Sequence, residues 1–223
     1  MAKILSNGNL ALVNGAVTWA IESAGTHPDL NERFLFAAGY PITPVNEVTE
    51  YFSRLSQSLN ISFVQAESEI AAANMVIGAA SVGIPAITVT SSPGISLMQE
   101  AISYAAGMEL GGRGLVYVDV VRGGPGLGNI QGAQSDFNQA VLGGGHGDYQ
   151  NLVLAPASAQ EAADLTMEAF ALADKWRNPV LIMGDFLLSH TSELVELHPL
   201  HEQRLGPKAW ATTGARPDAP RLR

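Results

Sequence analysis

The residues best suited to chemistry lie in four short polar or Gly/Pro-rich stretches: Tyr40-Pro41-Ile42-Thr43-Pro44, Gln65-Ala66-Glu67-Ser68-Glu69, Ser91-Ser92-Pro93-Gly94 and Arg122-Gly123-Gly124-Pro125-Gly126. Glu69 opens a segment crowded with small residues, Ala71, Ala72, Ala73, Gly78, Ala79 and Ala80. At helical spacing Glu69, Ala72, Ala73, Val76 and Ala80 share one face, which is apolar and closely approachable. A carboxyl on such a face can share a proton with a ligand. A glutamate in a first helical turn is equally what the helix macrodipole favours, and the residue types leave both accounts open. Glu67 is expected to point the other way, into solvent.

The remaining stretches divide in the same way. Ser91-Ser92-Pro93-Gly94-Ile95-Ser96-Leu97-Met98 reads as a strand-to-helix turn whose free amides can hold a polar ligand. It lacks the second glycine of a nucleophile elbow, and an ordinary Pro-Gly turn is the alternative. Arg122 stands at the exit of an apolar run, placed for a carboxylate of a substrate or for a structural ion pair. The glycines after it do not fit G-x-G-x-x-G, since Gly132 follows Gly126 and Gly128 one residue late, so an ordered active-site loop is favoured over a dinucleotide turn. His146, among Gly143, Gly144, Gly145 and Gly147, has no further ligands at metal-binding spacing and belongs to a loop packed under the site.

These stretches follow a regular alternation. Strands are predicted near Phe34–Ala37, Ser62–Ala66, Ala86–Ser91, Gly114–Val121, Leu152–Ala155 and Val180–Met183. Helices are predicted over Gly8–Ser23, Val45–Leu59, Ser68–Val82, Gly94–Met108 and Ala159–Ala173. Apolar strands alternating with amphipathic helices imply a doubly wound α/β fold, a mostly parallel sheet of about six strands with helices on both faces. In such sheets ligands bind beyond the carboxyl ends of the strands, where all four stretches fall. The domain is expected to span 1–188. From Ser189 the pattern changes, and 189–223 reads as a linker or surface strap toward a second domain.

Composition narrows the field. The 223 residues carry 47% hydrophobic and 15% charged side chains, a balance that suits a buried core. A net charge of −9 with lysine only at 3, 175 and 208 leaves no basic stripe for nucleic acid and disfavours an anionic membrane surface. With no cysteine, the chain can hold neither a disulfide nor a cysteine-ligated iron–sulfur cluster. The first residues lack a signal peptide's apolar stretch, and no apolar run reaches the ~20 residues of a membrane span. A cytoplasmic protein is expected.

Taken in order, the four stretches together with Gly124-Pro125-Gly126-Leu127-Gly128-Asn129 and Gly144-Gly145-His146-Gly147-Asp148-Tyr149 resemble the α subunit of 2-oxoacid:ferredoxin oxidoreductases, over about Gly8 to Asp185. The double serine before Pro93 is most similar to the branched-chain (2-oxoisovalerate) type, with the 2-oxoglutarate type close. The resemblance implies the pyrimidine-binding domain of a thiamine diphosphate fold, and oxidative decarboxylation of a 2-oxoacid to acyl-CoA and CO₂ with electrons passed to ferredoxin. It implies that Glu69 is the catalytic carboxylate on the pyrimidine N1′. Tyr40, Pro41, Ile42, Thr43, Ser92 and Pro93 would contact the cofactor, and Thr43 and Arg122 the substrate. A β subunit would hold the diphosphate, Mg²⁺ and [4Fe-4S] clusters, within a hetero-oligomer that includes γ and δ subunits and homologous copies. Coenzyme A would be co-substrate. The alternatives are a non-catalytic assembly or regulatory subunit of the same fold and a nucleotide-binding oxidoreductase domain. Gly111-Gly112-Arg113 and the approach Thr26–Arg33 depart from the family pattern.

Overall fold

The computed structural model describes residues 3–24, 35–110 and 114–198. Its elements in chain order are β1 (Lys3–Asn7), α1 (Gly8–Ala24), β2 (Leu35–Gly39), α2 (Asn46–Leu55), β3 (Ile61–Gln65), α3 (Glu69–Ser81), β4 (Ala86–Thr90), α4 (Ser92–Gly107), β5 (Leu115–Gly123), β6 (Asn129–Gly132), α5 (Phe137–Leu142), β7 (Leu152–Leu154), α6 (Ala159–Trp176), β8 (Val180–Asp185), α7 (Phe186–His190) and β9 (Ser192–Glu196). The six expected strands form a parallel sheet in the order β3-β2-β4-β5-β8-β7, and β6 adds an antiparallel seventh strand beside β5. Central strands with both faces covered must be apolar throughout. All of β4 and eight of the nine residues of β5 are accordingly buried.

Helices cover both faces, as expected. On one side α1, α2 and α6 pack a core containing Trp19, Phe52, Met167 and Phe170, with Trp19 stacked on Phe170 at 6.3 Å. On the other side α3 and α4 pack over Ala86, Leu115, Tyr117 and Leu181. Ser68 caps α3 by accepting a hydrogen bond from the Ala71 amide at 3.2 Å, so Glu69 is the first residue of the helix.

Several boundaries differ from the expectation. Helix α4 begins at Ser92 rather than Gly94, because Pro93 sits in its first turn, where a missing N–H costs nothing. Helix α2 stops at Leu55, and β5 runs on to Gly123, which puts Arg122 inside the strand. The segment expected to be a linker or strap from Ser189 starts as ordered structure. Its β9 pairs antiparallel with β1, Lys3 opposite Glu196, and Val195 is fully buried against the core. The rest of that expectation, residues 199–223, lies outside the described residues, as do Thr26–Arg33, Phe34 and Gly111–Arg113. Among the described residues no helix is long and apolar enough to cross a membrane.

The chain reverses direction across the sheet between β2 and β4: it leaves β2 for β3 on one side, then returns past β2 to β4. A crevice opens at the carboxyl ends of strands where the order reverses. The exits of β2, β3 and β4 all reach that point.

Candidate active site

Glu69 is buried, 7% exposed, and its carboxylate has no hydrogen-bond partner among the described residues. The face it shares is the one expected from spacing, since Glu69, Ala72, Ala73, Val76 and Ala80 are the buried positions of α3 together with Ile77. Glu67 is exposed, also as expected. Across from Glu69 runs the first turn of α4. A Cβ built on Gly94 would fall 2.7 Å from Glu69 Cγ and 3.0 Å from Oε1, and would collide with Thr90 Oγ1. The backbone of α4 can pass this close to the carboxylate only at a residue without a side chain.

The same turn of α4 holds Arg122. Ser92 Oγ accepts from the Arg122 amide at 2.9 Å and donates to the Arg122 carbonyl at 3.2 Å, closing a small ring between the helix start and β5. Ser91 Oγ donates to the Val120 carbonyl at 2.7 Å. Both hydroxyls therefore fasten α4 to β5. The hydroxyl of Ser92, expected to touch a cofactor, is engaged with backbone, and Pro93 is half-buried in the turn.

The guanidinium of Arg122, in a residue 6% exposed, reaches two loops. Nη1 donates to the Thr43 carbonyl at 2.7 Å and Nη2 to the Leu127 carbonyl at 2.9 Å. The structure thus offers neither the ion pair nor a freely presented cation, but a bridge between the β2 exit and the loop after β5. Nε is buried without a partner among the described residues, and each Nη keeps a second N–H. On the far side of the β2 exit, Asn9 of α1 donates to the Pro44 carbonyl at 2.9 Å. Held at Thr43 and Pro44, the loop leaves Tyr40, Pro41 and Thr43 exposed and Ile42 half-buried. The Thr43–Pro44 and Gly124–Pro125 peptide bonds are cis.

After β5 the glycine run turns back into β6, where Gly123 pairs with Asn129 and Arg122 with Gly132. Gly128 has φ +64°, and a Cβ there would strike the Gly123 carbonyl. No helix starts at this turn, so it does not aim a helix N-terminus at a phosphate as a dinucleotide loop does. The Gly143–Asp148 stretch packs on α4: the Gly144 amide donates to Gln99 Oε1 at 2.8 Å and the Gly145 amide to the Tyr149 hydroxyl at 2.9 Å.

Three parts of this arrangement escaped the residue-level reading: the clamp by Ser91, the support by Gln99 and the buried Asp119. Asp119 did carry a signal, as the one carboxylate in the apolar run Leu115–Val121. A 560 Å³ cavity lies apart from the candidates, between the ends of β7 and β8, α5 and α7, with Val121, Phe137, Met183 and Leu187 in its walls.

The chain is similar to several known proteins. Residues 31–222 match the family described as "Pyruvate flavodoxin/ferredoxin oxidoreductase, thiamine diP-bdg". The ketoisovalerate oxidoreductase subunit VorB of Methanothermobacter thermautotrophicus is 52% identical over 178 residues, covering 80% of this chain and 50% of that protein. The 2-oxoglutarate synthase subunit KorA of Archaeoglobus fulgidus is 41% identical, covering 89% of this chain and 53% of that protein. Among solved structures, the 2-oxoglutarate:ferredoxin oxidoreductase from Magnetococcus marinus, with 2-oxoglutarate, coenzyme A and succinyl-CoA bound, superposes with a TM-score of 0.80 at 31% identity. That match covers 93% of this chain and 34% of the other. The chain spans about half the length of the curated relatives it matches.

Proposed function

The chain belongs to the thiamine diphosphate-binding pyruvate flavodoxin/ferredoxin oxidoreductase family, and on that premise we propose that it supplies the pyrimidine-facing half of a thiamine diphosphate site in a 2-oxoacid:ferredoxin oxidoreductase. The observation that carries this reading is Glu69, a buried carboxylate with no partner of its own at the strand-exit crevice, with α4 backbone drawn in beside it at Gly94. A carboxylate in that state fits a ring nitrogen that can share a proton with it. Bound thiamine diphosphate supplies the nucleophilic carbon and the electron sink for decarboxylating a 2-oxoacid. This chain's part is to hold a proton between Glu69 and the pyrimidine N1′, and to line the ring with the 40–43 loop and the first turn of α4. Arg122, through its remaining N–H groups, and Thr43 would receive the carboxylate of the oxoacid.

In this reading a second protein surface completes the site. Exposed apolar side chains run along α3 and along α4 to its C-cap: Ile70, Met75, Leu97, Tyr104 and Met108 are each 39–54% exposed. Exposed apolar residues grouped in this way mark an interface. In the proposed assembly a partner subunit covers them and brings the diphosphate and Mg²⁺ site and the [4Fe-4S] clusters that pass electrons to ferredoxin; γ and δ subunits complete it. The substrate class follows the relatives: a branched-chain 2-oxoacid first, 2-oxoglutarate second, with coenzyme A as acyl acceptor. A cytoplasmic location is part of the same proposal.

The test is reconstitution with the partner subunits. Purified complex is assayed for viologen reduction with a panel of 2-oxoacids, thiamine diphosphate and coenzyme A, using wild-type chain and Glu69→Gln. Turnover of a branched-chain acid that the substitution lowers by about 10²-fold or more supports the reading. Undiminished turnover in Glu69→Gln, or no turnover of any acid, overturns it.

A further inference from the structure

Asp119 is the charged residue most completely removed from water among those described: it is 0% exposed, in the middle of the central strand. Neither of its carboxylate oxygens receives a hydrogen bond from any N–H or O–H of the described residues, and Oδ2 of Asp136 is buried in the same condition. The two carboxyl groups lie within hydrogen-bonding reach of each other. The Asp119 carboxyl, shut away from water beside a second carboxylate, is disfavoured as an anion both by its burial and by that neighbouring charge. With no donor among the described residues, a proton shared between them is what can satisfy both.

The position of the pair in the chain gives it a task. Asp119 lies in β5 directly before the 120–135 segment, which carries the last residues of β5 with Arg122, the glycine turn and β6. Asp136 is the N-cap residue of α5, just after that segment, and its side chain makes no capping bond. We propose that Asp119 and Asp136 share a single proton, and that this carboxyl–carboxylate hydrogen bond staples the base of the 120–135 segment, making both of them positioning residues for Arg122. The staple itself does not depend on the thiamine diphosphate reading; only its consequence for substrate binding does.

The surroundings isolate the pair. Burial first, then the charge and hydrogen bond of Asp136, hold the Asp119 carboxyl well above the usual carboxylate range. On the same face of β5, Tyr117 is a buried neutral phenol. Thr90 and Met183 flank Asp119 on β4 and β8. The buried face of α4 is uncharged. Asp185, at the end of β8, is taken up by Gln134 and the Leu188 amide. His190 of α7 is bonded to Ser189 and stacked on Phe186. Arg122 is turned to Thr43 and Leu127.

The test uses the full chain without cofactor. Infrared spectroscopy at neutral pH should show a protonated-carboxyl C=O stretch that is absent in Asp119→Asn, whose amide donates to Asp136 without needing a proton. Hydrogen exchange followed by mass spectrometry should show 120–135 protected in wild type and Asp119→Asn, and about tenfold or more less protected in Asp119→Ala. In wild type alone, that protection should fall as pH rises. If Asp119→Ala does not fold, the infrared band and the pH profile of Asp119→Asn still decide. Absence of the band from wild type, or equal protection of 120–135 in wild type and Asp119→Ala, overturns the proposal. Loss of oxoacid turnover in Glu69→Gln has no bearing on either readout, so the two proposals fail separately.

Discussion

Gly94 and Glu69 touch across the gap between α4 and α3: a Cβ at position 94 would sit 2.7 Å from Glu69 Cγ. The contact makes Glu69's position depend on a second helix. It also explains a glycine in a first helical turn, where the backbone has no other need of one.

Gly94→Ala is expected to overpack this contact and destabilise the chain by about 1–3 kcal/mol. Gly78→Ala, in α3, is the control: a Cβ there meets nothing within 4 Å, so helix propensity alone should stabilise by roughly 0.5–1 kcal/mol. Urea unfolding of the isolated chain measures both. Equal effects at the two positions would remove the steric account of Gly94.

Arg122→Lys keeps the charge but cannot bridge two carbonyls as a fork does. Losing one of the bonds to Thr43 and Leu127 should cost about 1.5–3 kcal/mol of stability. In the reconstituted complex the Michaelis constant for the oxoacid should rise more than the turnover number falls. Steady-state kinetics over a range of oxoacid concentrations separates the two.

Tyr117 is fully buried and its hydroxyl has no hydrogen-bond partner among the described residues. Tyr117→Phe should therefore stabilise the chain by about 1 kcal/mol. Burial raises the phenol well above its ordinary value, so the folded state keeps a proton that the unfolded state loses above about pH 10. Wild type should lose stability as pH rises past that point, and Tyr117→Phe should lose less. Thermal melts from pH 8 to 11 check it.

Asp119 titrates in the same sense. Its folded-state value is raised, so the folded protein binds more protons than the unfolded one above the ordinary Asp value of about 4. The stabilisation is complete below that pH. It declines by about 1.4 kcal/mol per pH unit as pH rises toward the folded-state titration. Asp119→Asn should flatten that decline in a pH series of urea midpoints.

The sheet was legible because strands buried on both faces are mostly apolar, as Ala86–Thr90 and, Asp119 apart, Leu115–Val121 are. Glu69's face was legible because helical spacing alone collects Ala72, Ala73, Val76 and Ala80 around it. The pairing of β1 with β9 was not. Both are short strands of mixed burial, joined from opposite ends of the described chain, and nothing local signals their partner. The bridge made by Arg122 was hidden for a related reason: its acceptors are the backbone carbonyls of Thr43 and Leu127, which carry no residue identity. Asp119 stood out as a charge in an apolar run, but its partner Asp136 becomes its neighbour only when the 120–135 segment folds back.

The central claim is that Glu69 acts on bound thiamine diphosphate. Its most direct measurement is the rate of hydrogen–deuterium exchange at the thiazolium C2 position, followed by acid quench and NMR in the reconstituted complex, with wild-type chain and Glu69→Gln at equal cofactor occupancy. The account predicts exchange about 10²-fold or more slower in Glu69→Gln; equal rates in the two proteins would contradict it.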